Sequence, residues 1–416
     1  MRDRLWIIGL AAILALRPLP AASPGKEDPA GAGLSAPRLA RIPAGMKRYI
    51  DSGQVAGTVT LVARRGRLVH LDAQGFLNLE SKKPMESSAL FRIASMTKPI
   101  TSVAVMTLLE QGYFQLTDPV SKFIPDFKNA RVTVPTAPGE AATPSKLVAA
   151  EREITIQHLL THAAGLPNTY SGPGLPLFQK LVAERTPSTT VGEFTRKLAK
   201  LPLNFQPGTA WEYGPATDVL GHLVEVVSGE SFDRYLARHI FEPLGMKDTF
   251  FWVPDDQLPR LATLYAPGEA NRATPASAQS RGSKTFFSGG GGLISTASDY
   301  YLFCQMLLNG GELNGKRILS RKSIELMTRN HIGDARMWPT LNGNRFGLGF
   351  RVLTDLGQAA HLGSVGSYGW GGAFATYFWI DPAEQMIGIL MTQIRPYTHL
   401  NIRADFQTLA TQAVVD

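Results

Sequence analysis

A serine and a lysine three residues apart are the first candidates for chemistry in this sequence. They stand in the run Ser95-Met96-Thr97-Lys98. A free serine hydroxyl is a poor nucleophile at neutral pH and needs a neighbouring base or charge to lose its proton. On a helix, side chains three positions apart share a face, with Cβ atoms about 5–6 Å apart, so the ammonium can reach the hydroxyl. The spacing predicts nucleophilic serine catalysis, with backbone N–H groups at the helix start available to an oxyanion.

Other patterns associated with catalysis or binding give weaker signals. No serine has the Gly-x-Ser-x-Gly surroundings of an ordinary α/β-hydrolase. His158 and His162 are four apart on an expected helix and would share a face, but no third ligand is evident. We interpret them as capping or core histidines. The glycines at 289–292 lack the Lys-Ser/Thr end of a phosphate loop and indicate a turn with close backbone packing. We therefore expect neither a metal site nor a cofactor.

The elements that must position Ser95 and Lys98 can be read from apolar periodicity and turn residues. β-Branched residues around Arg65-Gly66 predict a hairpin over 57–71, so the sheet is at least partly antiparallel. A buried helix is expected from Ser95 to Gln111. Further expected elements are helices at 38–52, 156–164, 219–228, 232–241, 296–308 and from about 404, and strands at 347–353, 373–380 and 386–391, with a Pro-rich loop at 133–144.

These elements predict an α/β fold whose antiparallel sheet is supplied by both chain ends and flanked by N- and C-terminal helices. The α/β domain is expected at 37–115 and 286–416, with a mainly helical domain inserted at 116–285. A Pro/Gly/Ala-rich linker is expected at 23–36 and a signal peptide at 1–22.

The N-terminal residues have the order of a secretory signal peptide. A basic start precedes a 12-residue apolar run over 5–16, and small residues follow Pro20. This run is too short for a membrane span, and no later stretch reaches the roughly 18 apolar residues of one. We expect a periplasmic or secreted protein; the alternative for this segment is a plain disordered N-terminus.

Composition excludes several classes of protein. The chain has 416 residues, of which 44% are hydrophobic and 18% charged, so it can bury a large core and is not intrinsically disordered. Cys304 is the single cysteine, which excludes an intramolecular disulfide. The formal charge of +8 comes from Lys and Arg scattered along the chain, a pattern more typical of a solvated surface than of nucleic-acid binding. No obligate protein partner is indicated.

The surroundings of Ser95 resemble a known family. Residues 91–102 are similar to the nucleophile segment of the serine β-lactamase-like superfamily of β-lactamases and penicillin-binding proteins, in particular class C β-lactamases and family VIII carboxylesterases. Five further segments resemble the esterase branch in the same chain order, and together the six span roughly residues 40–395. These are residues 154–166, 211–221, 241–246, 288–297 and 369–382.

The resemblance implies a β-lactamase-like fold and a role for three side chains. Ser95 corresponds to the acylated nucleophile, Lys98 to its charge partner and Tyr213 to the tyrosine general base. Such a base is physically reasonable because an ammonium about 4 Å from a phenolate stabilises it by about 4 kcal/mol at an effective dielectric constant of about 20. Without the resemblance, Tyr213 would be interpreted as a packing residue. Asp218 could cap the following helix or act in the site.

The third motif is implied by resemblance at residues 370–373. Trp370, Gly371 and Gly372 stand where β-lactamases have Lys-Thr-Gly. The oxyanion hole would then consist of the backbone N–H groups of Ser95 and Ala373, with the other three residues beside the substrate. By itself, Trp370 could equally be a core strand residue, although the glycines permit close approach of a ligand to the backbone.

Two departures from the β-lactamase pattern bear on the substrate. Pro215 replaces the asparagine that would hold a β-lactam amide, and Trp370 replaces the lysine that would attract a carboxylate. Both changes favour a neutral small-molecule ester. The sequence thus predicts a hydrolase of short-chain or aryl carboxylic esters that forms an acyl-serine intermediate, with weak β-lactam hydrolysis left open. The alternatives are a β-lactamase, D-amino-acid peptidase or acyltransferase with the same Ser-Lys-Tyr chemistry, and a non-catalytic penicillin-recognising binding protein.

Overall fold

The largest element of the structure is an eight-stranded antiparallel sheet built from both ends of the chain. The structure is a computed structural model that describes residues 27–135, 145–277 and 279–416. In sheet order the strands are β12-β13-β14-β15-β16-β1-β2-β3. The strands, in chain order, are β1 (Gly57–Arg64), β2 (Arg67–Asn78), β3 (Lys83–Pro84), β4 (Phe91–Arg92), β5 (Arg131–Pro135), β6 (Ser145–Ala149), β7 (Tyr265–Pro267), β8 (Ala273–Pro275), β9 (Ile294–Ser295), β10 (Glu312–Leu313), β11 (Lys316–Arg317), β12 (Asn344–Phe346), β13 (Arg351–Leu353), β14 (Tyr368–Gly371), β15 (Tyr377–Asp381) and β16 (Met386–Met391).

Helices cover both faces of this sheet. The α-helices are α1 (Ala36–Leu39), α2 (Arg41–Asp51), α3 (Thr97–Glu110), α4 (Ile156–Leu160), α5 (Leu175–Ala183), α6 (Val191–Leu198), α7 (Ala216–Ser228), α8 (Phe232–Leu236), α9 (Glu242–Leu244), α10 (Ala297–Leu308), α11 (Arg321–Met327), α12 (Leu356–Ala359) and α13 (Ile402–Thr411). Helix α10 packs on β1 and β16, and the paired helices α2 and α13 pack on the opposite face.

The central strand β1 shows why the sheet needs cover on both sides. All eight of its residues are buried. Leu61 faces the main core, whereas its neighbour Val62 faces the second core beneath α2 and α13. Successive side chains of a strand point to opposite faces. A strand that is buried along its whole length therefore belongs to a sheet with helices packed on both faces, as seen here.

The predicted fold class is confirmed: the sheet is antiparallel, helices from both chain ends flank it, and a mainly helical stretch with α4 to α9 lies between the sheet-forming segments. The hairpin at 57–71 is also confirmed, because β1 and β2 pair across a turn at Arg65 and Gly66, both with positive φ. The domain boundaries stay a prediction. The predicted signal peptide at 1–22 and the first residues of the linker lie outside the described residues.

Several expected elements differ from the structure. The single strand expected at 347–353 is instead the hairpin of β12 and β13, because the chain reverses near Gly349, whose φ is +91°. The strand expected at 373–380 begins only at Tyr377, because residues 372–376 form the turn between β14 and β15. The loop expected at 133–144 begins inside strand β5, and its residues 136–144 lie outside the described ones.

None of the helices among residues 27–135, 145–277 and 279–416 combines the length and apolar character needed to cross a bilayer.

A buried carboxyl group lies at the start of α10. Thr296 caps this helix, and its hydroxyl accepts a hydrogen bond from the backbone of Asp299. Asp299 is 7% exposed and accepts hydrogen bonds from the backbone of Asp248 and the hydroxyl of Thr249. Burial raises the pKa of Asp299 to about 6, and the two hydrogen bonds oppose that rise only in part.

We expect Asp299→Asn to remove a pH dependence of stability. Because the folded-state pKa lies above the unfolded value near 3.9, the native state holds the proton more tightly, and stability falls as pH rises from about 4 to about 7. The free energy of unfolding of the variant, relative to wild type, should therefore rise by about 2–3 kcal/mol between these two pH values. Urea denaturation at pH 4 and pH 7 measures this. The exposed Asp334→Asn serves as control, and a pH-independent difference for Asp299→Asn would contradict the expectation.

Candidate active site

Ser95 lies in a short turn that leads directly into the buried helix α3. The residues Ala94–Met96 form one turn of 3-10 helix, and α3 follows from Thr97. Ala94 has a φ of +44°, which is unfavourable for a residue with a Cβ and costs on the order of 1–3 kcal/mol. The turn places Ser95 on the wall of two cavities. Its amide is among the first N–H groups of the helix, which have no acceptor within the helix itself.

Lys98 joins three parts of the site. Its side chain is 5% exposed, and its ammonium donates to the Ser95 hydroxyl (3.3 Å) and to the carbonyl of Gly290 (2.6 Å). The same ammonium lies over the face of the Tyr213 ring, 4.6 Å from its centroid. A cation in this position is attracted by the negative face of the ring. The geometry confines the lysine charge between the serine and the tyrosine.

Tyr213 stands just before α7 and is held on both sides by aromatic rings. Its hydroxyl accepts a hydrogen bond from the indole Nε1 of Trp370 (3.2 Å). The imidazole of His162 lies 4.7 Å from its ring. Burial, aided by the charge of Lys98, lowers the pKa of His162 well below its usual range. The histidine is therefore neutral at ordinary pH, and the lysine supplies the positive charge next to Tyr213.

The segment after Trp370 brings a second backbone turn to Ser95. Trp370 and Gly371 end strand β14, and Ala373 lies in the turn to β15, outside the strand ladder. A Cβ at Gly372 would stand 2.4 Å from the carbonyl oxygen of Ile93, so only glycine lets the turn pack this closely beside the serine segment. Ala373, like Ser95, lines both cavities. The structure thus brings together the two residues whose amides were predicted to form the oxyanion hole.

Arg403, at the start of α13, holds this turn in place through hydrogen bonds to its backbone. Its guanidinium donates to the carbonyls of Gly372 and Ala375, which flank Ala373, and to the hydroxyl of Tyr397. A Cβ at Gly371 would stand 2.7 Å from the guanidinium. Sequence reasoning missed this contact, since nothing in the local pattern relates α13 to the turn.

The two cavities meet at the nucleophile. The larger has a volume of about 540 Å³ and the smaller about 210 Å³. Ser95, Tyr170, Tyr213 and Ala373 line both of them. A carbonyl compound attacked by Ser95 therefore has room for one substituent on each side of its carbonyl carbon. This shape suits an ester or an amide, whose acyl and leaving groups extend in opposite directions.

Asp218 acts on the lysine through the glycine turn at 289–292. Its carboxylate accepts hydrogen bonds from the hydroxyl of Ser288 (2.6 Å) and the backbone of Gly290 (2.9 Å). The carbonyl of Gly290 in turn accepts the hydrogen bond from Lys98. Asp218 does not cap α7, and its carboxylate instead holds the turn whose Gly290 carbonyl accepts the hydrogen bond from Lys98. The glycine run shows the close backbone packing expected from the sequence.

We expect Asp218→Ala to lower kcat about tenfold with little change in KM. The loss of a hydrogen bond that holds the Gly290 peptide costs about 1 kcal/mol and loosens the acceptor of Lys98. Steady-state kinetics with an activated ester measures the effect. Asp218→Asn keeps one acceptor oxygen and should recover most of the rate, whereas an equal loss in both variants would contradict a positioning role.

Partly exposed aromatic rings pack against Tyr213. Trp338 lies 5.0 Å from the Tyr213 ring and 5.3 Å from that of Trp211, and it also contacts Tyr170 at 6.0 Å. Tyr170 is 60% exposed and Trp338 38%. Trp338 was missed by sequence analysis because its loop carries no recognisable motif.

The expected shared face of His158 and His162 is not observed. Helix α4 ends at Leu160, and His162 has a positive φ of +57°, so the two histidines stand on different local structures. His158 completes a capping box with Thr155. His162 packs in the aromatic cluster. In the described ranges, no group of three or more His, Cys, Asp or Glu could hold a metal ion.

Comparisons with known proteins agree with this geometry. The family model described as Beta-lactamase matches residues 41–412. Protein Rv1367c of Mycobacterium tuberculosis is 34% identical over 375 residues, which are 85% of this chain and 89% of that protein. Esterase EstB of Burkholderia gladioli is 28% identical, covering 88% of this chain and 93% of the relative. The solved structure of "EstCE1, a hydrolase with promiscuous acyltransferase activity" superposes with a TM-score of 0.76 and 28% identity, over 91% of this chain and 99% of that one.

The protein is therefore a serine hydrolase with a β-lactamase-like fold, and the chain belongs to the β-lactamase family. Within that serine β-lactamase-like superfamily, the likeness to EstB and EstCE1 places it with the family VIII esterases. The resemblance inferred from the sequence is thus confirmed.

Proposed function

We propose that the protein hydrolyses short-chain or aryl carboxylic esters through an acyl intermediate on Ser95. The observation that carries this proposal is the position of the Lys98 ammonium, between the Ser95 hydroxyl and the Tyr213 ring, at the junction of two cavities. The names of the relatives EstB, an esterase, and EstCE1, a hydrolase, support the same substrate class.

In the first half of the proposed reaction, Tyr213 in its phenolate form takes the hydroxyl proton as Ser95 Oγ bonds to the ester carbonyl carbon. The ammonium of Lys98 stabilises the phenolate and holds the serine oxygen. The carbonyl oxygen becomes an oxyanion that accepts hydrogen bonds from the amides of Ser95 and Ala373. When the tetrahedral intermediate collapses, the bond to the alcohol oxygen breaks, and the proton on Tyr213 passes to the departing alkoxide.

In the second half, water replaces the alcohol. Tyr213 accepts a proton from the water molecule, whose oxygen attacks the acyl carbon, and a second oxyanion forms at the same two amides. Collapse of this intermediate breaks the bond to Ser95 Oγ, which recovers a proton from Tyr213. The carboxylic acid leaves, and the site returns to its starting state without a metal or cofactor in any step.

Two features favour esters over β-lactams. Pro215 has no side-chain amide to hold the amide of a β-lactam, and the indole of Trp370 occupies the position of the third-motif lysine. Trp370 instead donates its hydrogen bond to the tyrosine hydroxyl.

The test compares turnover of p-nitrophenyl butyrate with that of a chromogenic cephalosporin by the purified protein. We expect kcat/KM for the ester to exceed that for the cephalosporin by on the order of 10²-fold or more, because the contacts to a β-lactam amide are missing. Preferred turnover of the cephalosporin would make the protein a β-lactamase and refute the proposal. No turnover of either compound would also refute the proposal and would leave the peptidase, acyltransferase and non-catalytic alternatives.

A further inference from the structure

The smaller cavity has an apolar side formed by aromatic rings. Trp338 and Trp370 are nearly parallel, with an interplanar angle of 21° and centroids 6.3 Å apart. The ring of Tyr213 adjoins both, at 5.0 Å from Trp338 and 5.4 Å from Trp370. These rings give the cavity an apolar lining that suits a flat or small apolar group.

Two residues that carry guanidinium groups, Arg351 and Arg403, also line this cavity. Arg351 lies on β13 and donates to the hydroxyl of Tyr377 (2.6 Å). That hydroxyl donates onward to Gln407 (2.8 Å). Arg403 donates to the backbone turn and to Tyr397, whereas Arg351, which has five N–H groups, forms this single side-chain hydrogen bond among the described residues. Arg351 therefore has donors free for a ligand.

Neither cation has a negative partner among the described residues. In the part of the chain that the structure describes, no carboxylate forms an ion pair with Arg351 or Arg403, whereas the buried Arg64 pairs with Glu384 and Asp416, each at 2.6 Å. The two unpaired charges also repel each other, and the charge of Arg351 adds to the lowering of the Arg403 pKa that burial causes first. Two part-buried positive charges in one cavity lose hydration and repel each other. An anion bound in the cavity would offset both costs through favourable electrostatic interactions.

We propose that the ester arm occupying the smaller cavity is a small aryl or alkyl group that ends in a carboxylate, bound by Arg351. This inference rests on the proposed ester hydrolysis and narrows its substrate class. Trp370 removes the positive charge of the third motif, which led the sequence analysis to favour a neutral ester. Arg351 and Arg403 bring positive charge into the same cavity from strands and helices distant in sequence. A guanidinium binds a carboxylate through two parallel hydrogen bonds, which makes it selective for that group.

The first experiment measures binding without turnover. Isothermal titration calorimetry compares 4-hydroxybenzoate with 4-hydroxybenzamide, which have similar shape and differ in charge. We expect the carboxylate to bind about tenfold more tightly or better, since a charge-assisted bidentate pair is replaced by a neutral amide. Arg351→Gln should abolish this preference. Arg345→Gln, which makes the same charge change on β12 outside both cavities, should retain it.

The second experiment follows the same preference in catalysis. We compare kcat/KM for mono-p-nitrophenyl succinate with that for p-nitrophenyl butyrate, and for the acetate esters of 4-hydroxybenzoate and 4-hydroxybenzamide. One pair tests the acyl arm and the other the leaving group. An anionic preference in at least one pair, measured as the ratio of kcat/KM for the anionic ester to that for its neutral partner, supports the proposal if it is lost in Arg351→Gln and retained in Arg345→Gln. Arg351→Lys keeps the charge and should retain part of the preference, which guards against misfolding of the glutamine variant.

Equal affinity for the two benzoic acid derivatives, binding of neither, or a preference that survives in Arg351→Gln would each overturn the carboxylate subsite. These outcomes leave ester hydrolysis itself standing if p-nitrophenyl butyrate is still cleaved. If the carboxylate binds selectively but no ester is cleaved, the proposed ester hydrolysis is refuted. The proposed carboxylate subsite at Arg351 is then still supported.

Discussion

Ser95→Ala is expected to lower the turnover of p-nitrophenyl butyrate by a factor on the order of 10⁴ to 10⁶. The substitution removes the one oxygen that can carry the acyl group, and neither Lys98 nor Tyr213 replaces it as a nucleophile. The backbone turn is unchanged, so the two amides predicted to form the oxyanion hole stay in place. The residual rate would then measure what these amides and substrate binding contribute by themselves.

Ser102→Ala is a matched control for this experiment. Ser102 lies on the same helix α3, is 1% exposed, and its hydroxyl has no hydrogen-bond partner among the residues described. Its loss should leave the rate and the fold nearly unchanged, because no buried hydrogen bond is broken. Mass spectrometry after rapid quenching should detect an acyl adduct on the wild type and none on Ser95→Ala. Activity that persists in Ser95→Ala would overturn the assignment of the nucleophile.

Tyr213→Phe is expected to lower kcat by a factor on the order of 10² to 10⁴, the usual contribution of general acid–base catalysis. The phenyl ring keeps its contacts with Lys98 and Trp370, so binding of the ester and KM should change little. What is lost is the oxygen that receives the serine proton and returns it to the leaving group. Stopped-flow measurement of the p-nitrophenolate burst should show that acylation is slowed.

Tyr213→Phe is also expected to lower stability, because it leaves the indole N–H of Trp370 without its hydrogen-bond acceptor. A control must therefore separate this effect from the loss of rate. A buried donor without a partner costs about 1–3 kcal/mol, so the free energy of unfolding should fall by that amount while the fold is retained. Tyr113→Phe makes the same chemical change at a residue that is 51% exposed and should have no effect on either quantity. Near-normal turnover in Tyr213→Phe would exclude the tyrosine as base and direct attention to Lys98.

The parts of the molecule that local patterns determine could be predicted from the sequence. The hairpin of β1 and β2 follows from β-branched residues around a tight turn, and the contact of Lys98 with Ser95 follows from their spacing at a helix start. Tyr213 and residues 370–373 were located only by resemblance, because no local rule distinguishes a catalytic tyrosine from a packing one. The structure places all of these residues around the same two cavities.

Two of the predictions that proved wrong concern positions where a residue other than glycine adopts a positive φ. The turn between β14 and β15 contains Ala375 with a φ of +68°. A glycine at this position would have indicated a turn in the sequence, because glycine adopts positive φ readily. His162 likewise leaves the helical path with a positive φ, which separates it from His158. In each case tertiary packing holds a conformation that the residue type alone disfavours.

Sequence patterns also could not predict that Arg351 and Arg403 line the same cavity. They lie 52 positions apart in the numbering, on a strand and a helix, and neither stands in a segment that resembles a motif. Only the sheet order and the position of α13 bring their charges into one cavity. The neutral ester was therefore predicted from Pro215 and Trp370, and charges that other elements bring into the cavity were left out.

The pairing of β1 with β16 also governs when the protein can become active. This ladder joins Val59 to Met391, and the site takes Ser95 from an early segment and Ala373 from a late one. The early hairpin therefore cannot complete the central sheet until residues 386–391 are available to pair with β1. Until then β1 exposes an unpaired apolar edge, a surface prone to aggregation that chaperones would have to shield. Fragments that end before β16 should accordingly be insoluble and without activity.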